Sequence, residues 1–208
     1  MKLVALILCF YFVFVSANAQ NSSVLPHTNT YFLKKLITEN LTDLDNKIIV
    51  LGKEKVFNVF IDNNSNNVSQ KFFYNTIRDR FAQYNLIFES VDSTEFKIFF
   101  FNLLIKTEYP TYRVENLIGN RYITRVFTVK FDYKLVSIDD SILLVNSVKA
   151  KYQDEVLLDY IDYVQDPELP FTCAELPRMR FTDRYLVPTI MIAVSGLAIV
   201  LFFTIRSK

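Results

Sequence analysis

The chain has 208 residues, with 23 basic and 22 acidic side chains, so its formal net charge is +1. This balance lacks the strong basic excess of a general nucleic-acid binder, and nucleic acid is therefore excluded as a partner. The single histidine, His27, and a total of 3 glycines argue against nucleophilic triads and phosphate-binding loops, which need a proton shuttle or closely spaced glycines.

The first residues have the layout of a secretory signal peptide. Lys2 precedes an apolar run over residues 3–15, and Ala17 and Ala19 occupy the two positions that a signal peptidase reads. We predict cleavage after Ala19, because the run is short for the alternative of an uncleaved membrane anchor. Cys9 lacks the small neighbours of a lipidation site. Loss of Lys2 with the peptide removes one of the 23 basic residues and leaves the mature chain neutral.

Residues 20–165 are predicted to form one extracytoplasmic α/β domain. Thr28 is placed to cap a helix over residues 29–40, and residues 56–61 have the composition of a strand. Apolar residues at three-to-four spacing predict an amphipathic helix over 68–84, followed by a short strand at 86–88. Three β-prone segments follow at 96–107, 122–137 and 142–152, with connections short enough for an antiparallel meander. The predicted fold class is α+β, a two-layer domain with helices packed on a mainly antiparallel sheet.

This order of elements, over residues 54–152 at most, resembles in architecture the small α/β modules of bacterial envelope assembly and secretion proteins, such as lipopolysaccharide-transport and curli-export components. The resemblance implies a location in the cell envelope. The chain departs from the lipoprotein members of that group because it lacks a lipidation site.

Carboxylates are dense after residue 153. If residues 154–165 are helical, Glu155, Asp159, Asp162 and Asp166 line one face and form an acidic stripe suited to a basic partner or to weak divalent binding. We predict a partner-binding surface and no metal site, because loops that bind hard cations interleave their carboxylates with glycine. Two alternatives remain: the stripe is merely a solvated face, or the region continues as a strand and scatters the carboxylates over both faces.

The C-terminal part of the chain predicts a linker and a membrane anchor. Prolines between residues 166 and 185 favour an extended linker. Residues 186–205 form an uncharged apolar run of about 20 residues, which matches the thickness of a bilayer core and predicts a transmembrane helix. The positive-inside rule does not decide the orientation, but the signal peptide does, and it leaves residues 206–208 as a cytoplasmic tail. The predicted membrane-interface residues are Arg178, Arg180, Arg184 and Tyr185, with membrane lipids as their partners.

Cysteine usage and glycosylation signals bear on the compartment. After cleavage only Cys173 remains, so it is expected either to stay a small loop side chain or to pair with another chain. Asn-x-Ser/Thr triplets begin at Asn21, Asn40, Asn63 and Asn67; they would carry glycans in a eukaryotic secretory pathway and mean nothing in an Asn-rich bacterial sequence. The cleavage site and the composition favour a bacterial inner-membrane protein with most of its chain in the periplasm.

No pattern in the sequence predicts a catalytic residue, a cofactor or a metal ligand. We therefore expect a non-enzymatic, single-span envelope protein whose α/β domain is a subunit or assembly factor of an envelope complex, with protein partners in the envelope. The alternative is a periplasmic domain that senses a solute or lipid bound between helix and sheet and works with a partner membrane protein. An enzyme acting on envelope polymers through paired carboxylates is the third hypothesis.

Overall fold

The computed structural model describes residues 25–62, 67–88, 94–115, 120–178 and 181–206. The predicted signal peptide at 1–19 lies outside these residues, as do two positions of the predicted tail, 207 and 208. The helices are α1 (Asn29–Glu39), α2 (Thr42–Leu51), α3 (Asn67–Arg80), α4 (Ile161–Val164) and α5 (Phe181–Arg206). Short 3-10 helices cover Leu158–Tyr160 and Pro170–Thr172.

The sheet has six strands: β1 (Val56–Ile61), β2 (Asn85–Ile87), β3 (Phe96–Glu108), β4 (Tyr112–Val114), β5 (Arg121–Ser137) and β6 (Ile142–Leu157). Their spatial order is β2-β1-β3-β5-β6, and β4 pairs with the beginning of β5 on the side where β3 lies. The ladders of β5 with β3, β4 and β6 are antiparallel, whereas β1 is parallel to both β2 and β3. The α+β class is confirmed, with β3, β5 and β6 as the predicted meander and β1 adding a parallel part.

The core lies between the helices and one face of the sheet. Successive strand residues point to opposite faces, and the buried cluster takes one set: Phe57 and Val59 from β1, Ile98 and Phe100 from β3, and the odd-numbered positions 127–135 of β5. Apolar side chains of α1, α2 and α3 pack against this set; they are Phe32, Leu33, Leu36, Ile37, Leu44, Ile48, Phe72, Phe73 and Ile77. The side chains at the alternate strand positions point away from the helices and form the opposite face of the sheet.

Several boundaries differ from the predicted ones. Helix α2 was not predicted. Its buried side carries Leu44 and Ile48, and it ends at Leu51, before Gly52, whose φ of 114° is easily adopted only by glycine. Helix α3 ends at Arg80, four residues early, because the chain turns with a bond from the Tyr84 N–H to the Phe81 carbonyl. Strand β6 continues past Tyr152 to Leu157 because β5 is long enough to pair with it throughout.

The segment after α4 differs from the extended linker predicted over 166–185. Phe171 packs on Phe72 of α3 with ring centroids 5.0 Å apart, and Thr172 is buried. The first part of this segment is therefore bound to the domain, and residues 173–178 follow without helix or strand.

Helix α5 begins at Phe181 and ends at Arg206. Among the described residues, no helix combines the length and apolarity needed to cross a membrane. The transmembrane helix at 186–205 therefore stays a prediction.

Candidate interaction surface

The predicted acidic stripe is not one helix face. Glu155 belongs to β6, Asp159 to a 3-10 helix and Asp162 to α4, while Asp166 follows α4. Residues 154–157 are strand because the β5–β6 ladder extends to Leu157, so the strand alternative holds for the first part of the region. Glu155 forms an ion pair with Arg113 at 2.9 Å, and Asp159 and Asp162 are exposed. Their partner-binding role remains a prediction.

The predicted membrane-interface residues lie around the start of α5. Arg178 is exposed just before the helix, and Tyr185 in its first turns is 45% exposed. Arg184 lies in α5. Arg180 lies outside the described residues.

The face of the sheet opposite the helices carries most of the charge of the strands, and we call it the open face. Its side chains come from the second set of strand positions. It carries the lysines Lys97, Lys106, Lys130, Lys134, Lys149 and Lys151 and the phenylalanines Phe60, Phe99 and Phe101.

Two lysines of the open face oppose each other directly. Lys130 of β5 pairs in register with Lys149 of β6. Like charges at such a position repel and reduce the stability of the sheet. Neither lysine has an ion pair within the part of the chain that the structure describes. The opposition therefore costs some stability, which an anion placed between the two ammonium groups would recover.

Two carboxylates of the open face accept hydrogen bonds from neighbouring side chains. Glu108 accepts a bond from Lys106 at 2.7 Å, and this bond lowers the pKa of Glu108. Asp132 accepts bonds from the Asn102 amide at 2.6 Å and the Ser147 hydroxyl at 2.5 Å, which together lower the pKa of Asp132. These two carboxylates therefore stay charged at neutral pH, and neither forms an ion pair with Lys130 or Lys149.

One end of the open face is apolar. Phe60 stacks on Phe99 with centroids 4.9 Å apart, and the Lys134 ammonium lies 4.9 Å from the centroid of Phe99. A shallow depression of about 450 Å³ adjoins these rings and is also lined by Phe101 and Asn102. Asn102 has a φ of 56° and lies where the β3–β5 register shifts. A β-bulge therefore forms this side of the depression.

A buried polar network fixes both ends of the domain to the sheet. The Arg125 side chain on β5 is 1% exposed and donates two bonds to Asp154, the residue opposite it on β6, at 2.9 and 2.6 Å. The other terminal nitrogen donates to the His27 carbonyl at 3.0 Å and to Asn29 Oδ1 at 2.9 Å. The guanidinium also lies 5.3 Å from the centroid of the Phe32 ring.

The same network extends to the segment after α4 through Asn29. Its Nδ2 donates to the Tyr109 hydroxyl and to the Thr172 carbonyl, both at 2.7 Å. Gln165 donates to the same Tyr109 hydroxyl at 3.0 Å, and burial raises the pKa of Tyr109. Asn29, Arg125 and Thr172 thus join the start of α1, the sheet and the C-terminal segment.

His27 and Cys173 lie near this network without forming a reactive site. His27 is exposed, and its ring stacks on Tyr31 with centroids 4.1 Å apart. Cys173 is a free thiol on the rim of a cleft of about 570 Å³ between the end of β3 and residues 170–175. Across the described ranges, no group of His, Cys, Asp and Glu side chains has the arrangement of a metal site.

Two features of this surface were missed from the sequence although a signal was present. Lysines recur at alternate positions of predicted strands, at 130 and 134 and again at 149 and 151, which places them on one face. Arg125 occupies a position of the apolar set between Ile123 and Phe127, and a charge there signals a buried ion pair.

The chain matches no known protein family. No curated protein matches it either. Among solved structures it is similar to a putative neuraminyllactose-binding hemagglutinin homolog from Helicobacter pylori, with a TM-score of 0.33 and 5% identity over 52% of this chain and 67% of that chain. A similarity of this degree supports neither a fold assignment nor a function.

Proposed function

We propose that the chain is a non-enzymatic, single-span envelope protein whose domain binds an acidic protein partner through the open face, as a subunit or assembly factor of an envelope complex. The observation that carries this proposal is the direct opposition of Lys130 and Lys149 with no ion-pairing carboxylate among the described residues. An acidic partner supplies the missing counter-charges and removes the repulsion on binding.

The composition of the open face fits a protein partner. Lysines attract an acidic surface over several ångströms and orient it, while the stacked rings of Phe60 and Phe99 offer apolar contact area next to them. The face is part of a continuous sheet, so its backbone is ordered before the partner arrives. Little backbone entropy is then lost on binding.

The location is part of the same proposal. The signal peptide predicted at 1–19 and the apolar run at 186–205 support a single-pass protein in a bacterial inner membrane, with the domain in the periplasm. The exposed apolar side chains of α5, such as Ile192, Val194 and Leu197, support a lipid environment for this helix. Arg178 and Tyr185 would then lie near the headgroups.

The sensing alternative gains no support from a cavity between helix and sheet in the described part of the chain. It requires a ligand between helix and sheet, and the Phe73 ring of α3 packs there, 5.3 Å from the ring centroid of Phe100 and 5.1 Å from that of Phe131.

Affinity purification from mild-detergent extracts tests the proposal. The double variant K130E/K151E reverses two charges of the open face, and we expect it to lose the acidic partner that the unchanged chain retains. The matched control K53E/K71E makes the same change of charge in the α2–β1 loop and on α3, where both lysines are exposed. Equal recovery of the partner with both double variants would refute the proposal.

A further inference from the structure

Strand β6 forms an unusually long free edge. It has 16 residues and pairs with β5 alone within the described part of the chain. Strands of globular proteins usually have about 3–10 residues, and free edges of this kind are normally short or covered because they can pair with another strand.

The backbone groups available for pairing lie at the odd-numbered positions of β6. In an antiparallel ladder, alternate residues direct their N–H and C=O groups toward the neighbouring strand and away from it. The Ser147 N–H is bonded by the Asn146 side chain at 2.8 Å, which identifies the odd-numbered residues as those facing away from β5. That bond occupies the edge at Ser147, so the open part begins at Lys149.

The side chains along the open part place opposite charges against each other when the two-fold axis passes through Tyr152 or through Gln153. An antiparallel pair of β6 strands related by a two-fold axis at Tyr152 places Lys149 opposite Glu155 of the second copy, and this pair occurs twice. Val148 then faces Val156. With the axis at Ala150, Lys149 instead faces Lys151, and with the axis at Lys151 that residue faces itself. Like charges directly opposite are destabilising, so the charges disfavour these two registers. With the axis at Gln153, Lys151 faces Glu155 but Lys149 faces Leu157. The Tyr152 register instead pairs Lys149 with Glu155 and the buried Val148 with the buried Val156.

We propose that a second copy of this chain occupies the edge, with the β6 strands antiparallel and centred on Tyr152. Outward-facing residues from Lys149 to Glu155 allow about eight backbone hydrogen bonds across the axis. Arg113 contacts Oε2 of Glu155, at 2.9 Å, so Oε1 remains for Lys149. The two sheets become continuous, and the two open faces lie side by side on one surface.

Sedimentation of the full chain in detergent, over a range of protein concentrations, tests the register. We expect a dimer whose dissociation constant rises at least about tenfold in K149E, because the introduced carboxylate would face Glu155 twice. The variant K149E/E155K restores opposite charges and recovers dimerisation. The controls K53E, away from the edge, and K151E, which places a carboxylate opposite Gln153, leave the dimer intact. A monomeric chain overturns the proposal, as does a dimer insensitive to K149E or one dissociated by K151E instead.

A cysteine at the two-fold axis gives an independent measurement. In a chain carrying C9S and C173S, the substitution Y152C places two thiols opposite each other in a non-hydrogen-bonded pair, where Cβ atoms are close enough for a disulfide. We expect a cross-linked dimer on oxidation by molecular oxygen, and none when K149E is added. Equal cross-linking with and without K149E, or cross-linking only at Q153C, contradicts this register.

Discussion

Arg125 shows how one residue links distant parts of the chain. Its guanidinium is buried, and such a charge is tolerated only with full compensation, which Asp154, Asn29 and the His27 carbonyl provide. A hydrophobic pair of similar volume would stabilise the fold about as well. The value of the ion pair is therefore geometric: it fixes where the start of α1 meets the sheet.

Removal of Arg125 is expected to be severe. R125M leaves the Asp154 carboxylate and the Asn29 amide without their donor, so the free energy of unfolding falls by about 3–5 kcal/mol. R113M removes an exposed ion pair and leaves the free energy of unfolding nearly unchanged. Chemical denaturation of the purified variants measures both. The double variant R125M/D154L, which also removes the stranded charge, recovers part of the loss; no recovery would contradict the ion-pair explanation.

Asn102 controls the acidity of Asp132. Hydrogen bonds to the charged carboxylate lower its pKa below the ordinary 3.8, so the stabilisation is present at neutral pH and is lost as the pH falls through the lowered value. N102G keeps the positive φ but removes the amide. NMR titration should show the pKa of Asp132 rising toward its ordinary value, with that of Asp139 unchanged. An unchanged Asp132 would show that Ser147 alone sets its pKa.

At the scale of elements, the segment that follows α4 belongs to the domain as much as to the linker. Phe171 packs on Phe72, and the Thr172 carbonyl accepts a bond from buried Asn29. A partner that pulls on residues 173–178 would therefore pull on the junction with α1. This coupling was invisible in the sequence, where the prolines predicted a separate linker.

Replacement of residues 166–177 tests whether this segment packs on the domain or only connects the domain to α5. A Gly/Ser stretch in place of residues 166–177 loses the Phe171 contact and leaves Asn29 without one acceptor, so the domain loses about 2–4 kcal/mol of stability. Replacement of residues 175–178 alone leaves thermal unfolding unchanged. If the two replacements melt at the same temperature as the parent chain, the segment is only a tether.

Local sequence patterns predicted the helices and strands better than the contacts between them. Thr28 caps α1 through a bond to the Tyr31 N–H, and strand β1 has the predicted bounds, because these features depend on adjacent residues. The parallel partners of β1 and the Arg125–Asp154 pair join residues far apart in the chain, and no local pattern specifies them. The conformation of the acidic segment could not be decided for the same reason: pairing with β5 determines whether residues 154–157 are strand or helix.

At the scale of the whole molecule, the two faces of the sheet have different roles: one forms the core and the other is exposed. Helices α1 and α3 cover one face with aromatic and aliphatic side chains and provide the core. The other face keeps opposed lysines that reduce stability, which the well-filled core can tolerate. The edge of β6 adds a second surface, which shares Lys149 with the open face. The two roles are tested separately, because K130E/K151E changes neither Lys149 nor Glu155.

Site-specific photo-crosslinking in intact cells tests whether an acidic partner binds to the open face. A photoreactive residue at Thr128 lies between Lys106 and Lys151 in the register of the sheet, whereas one at Lys71 lies on the exposed side of α3. The proposed function predicts an adduct with an acidic envelope protein from position 128, its loss in K130E/K151E, and no such adduct from position 71. An adduct from position 71 alone, or one from position 128 that survives the charge reversal, would contradict the account.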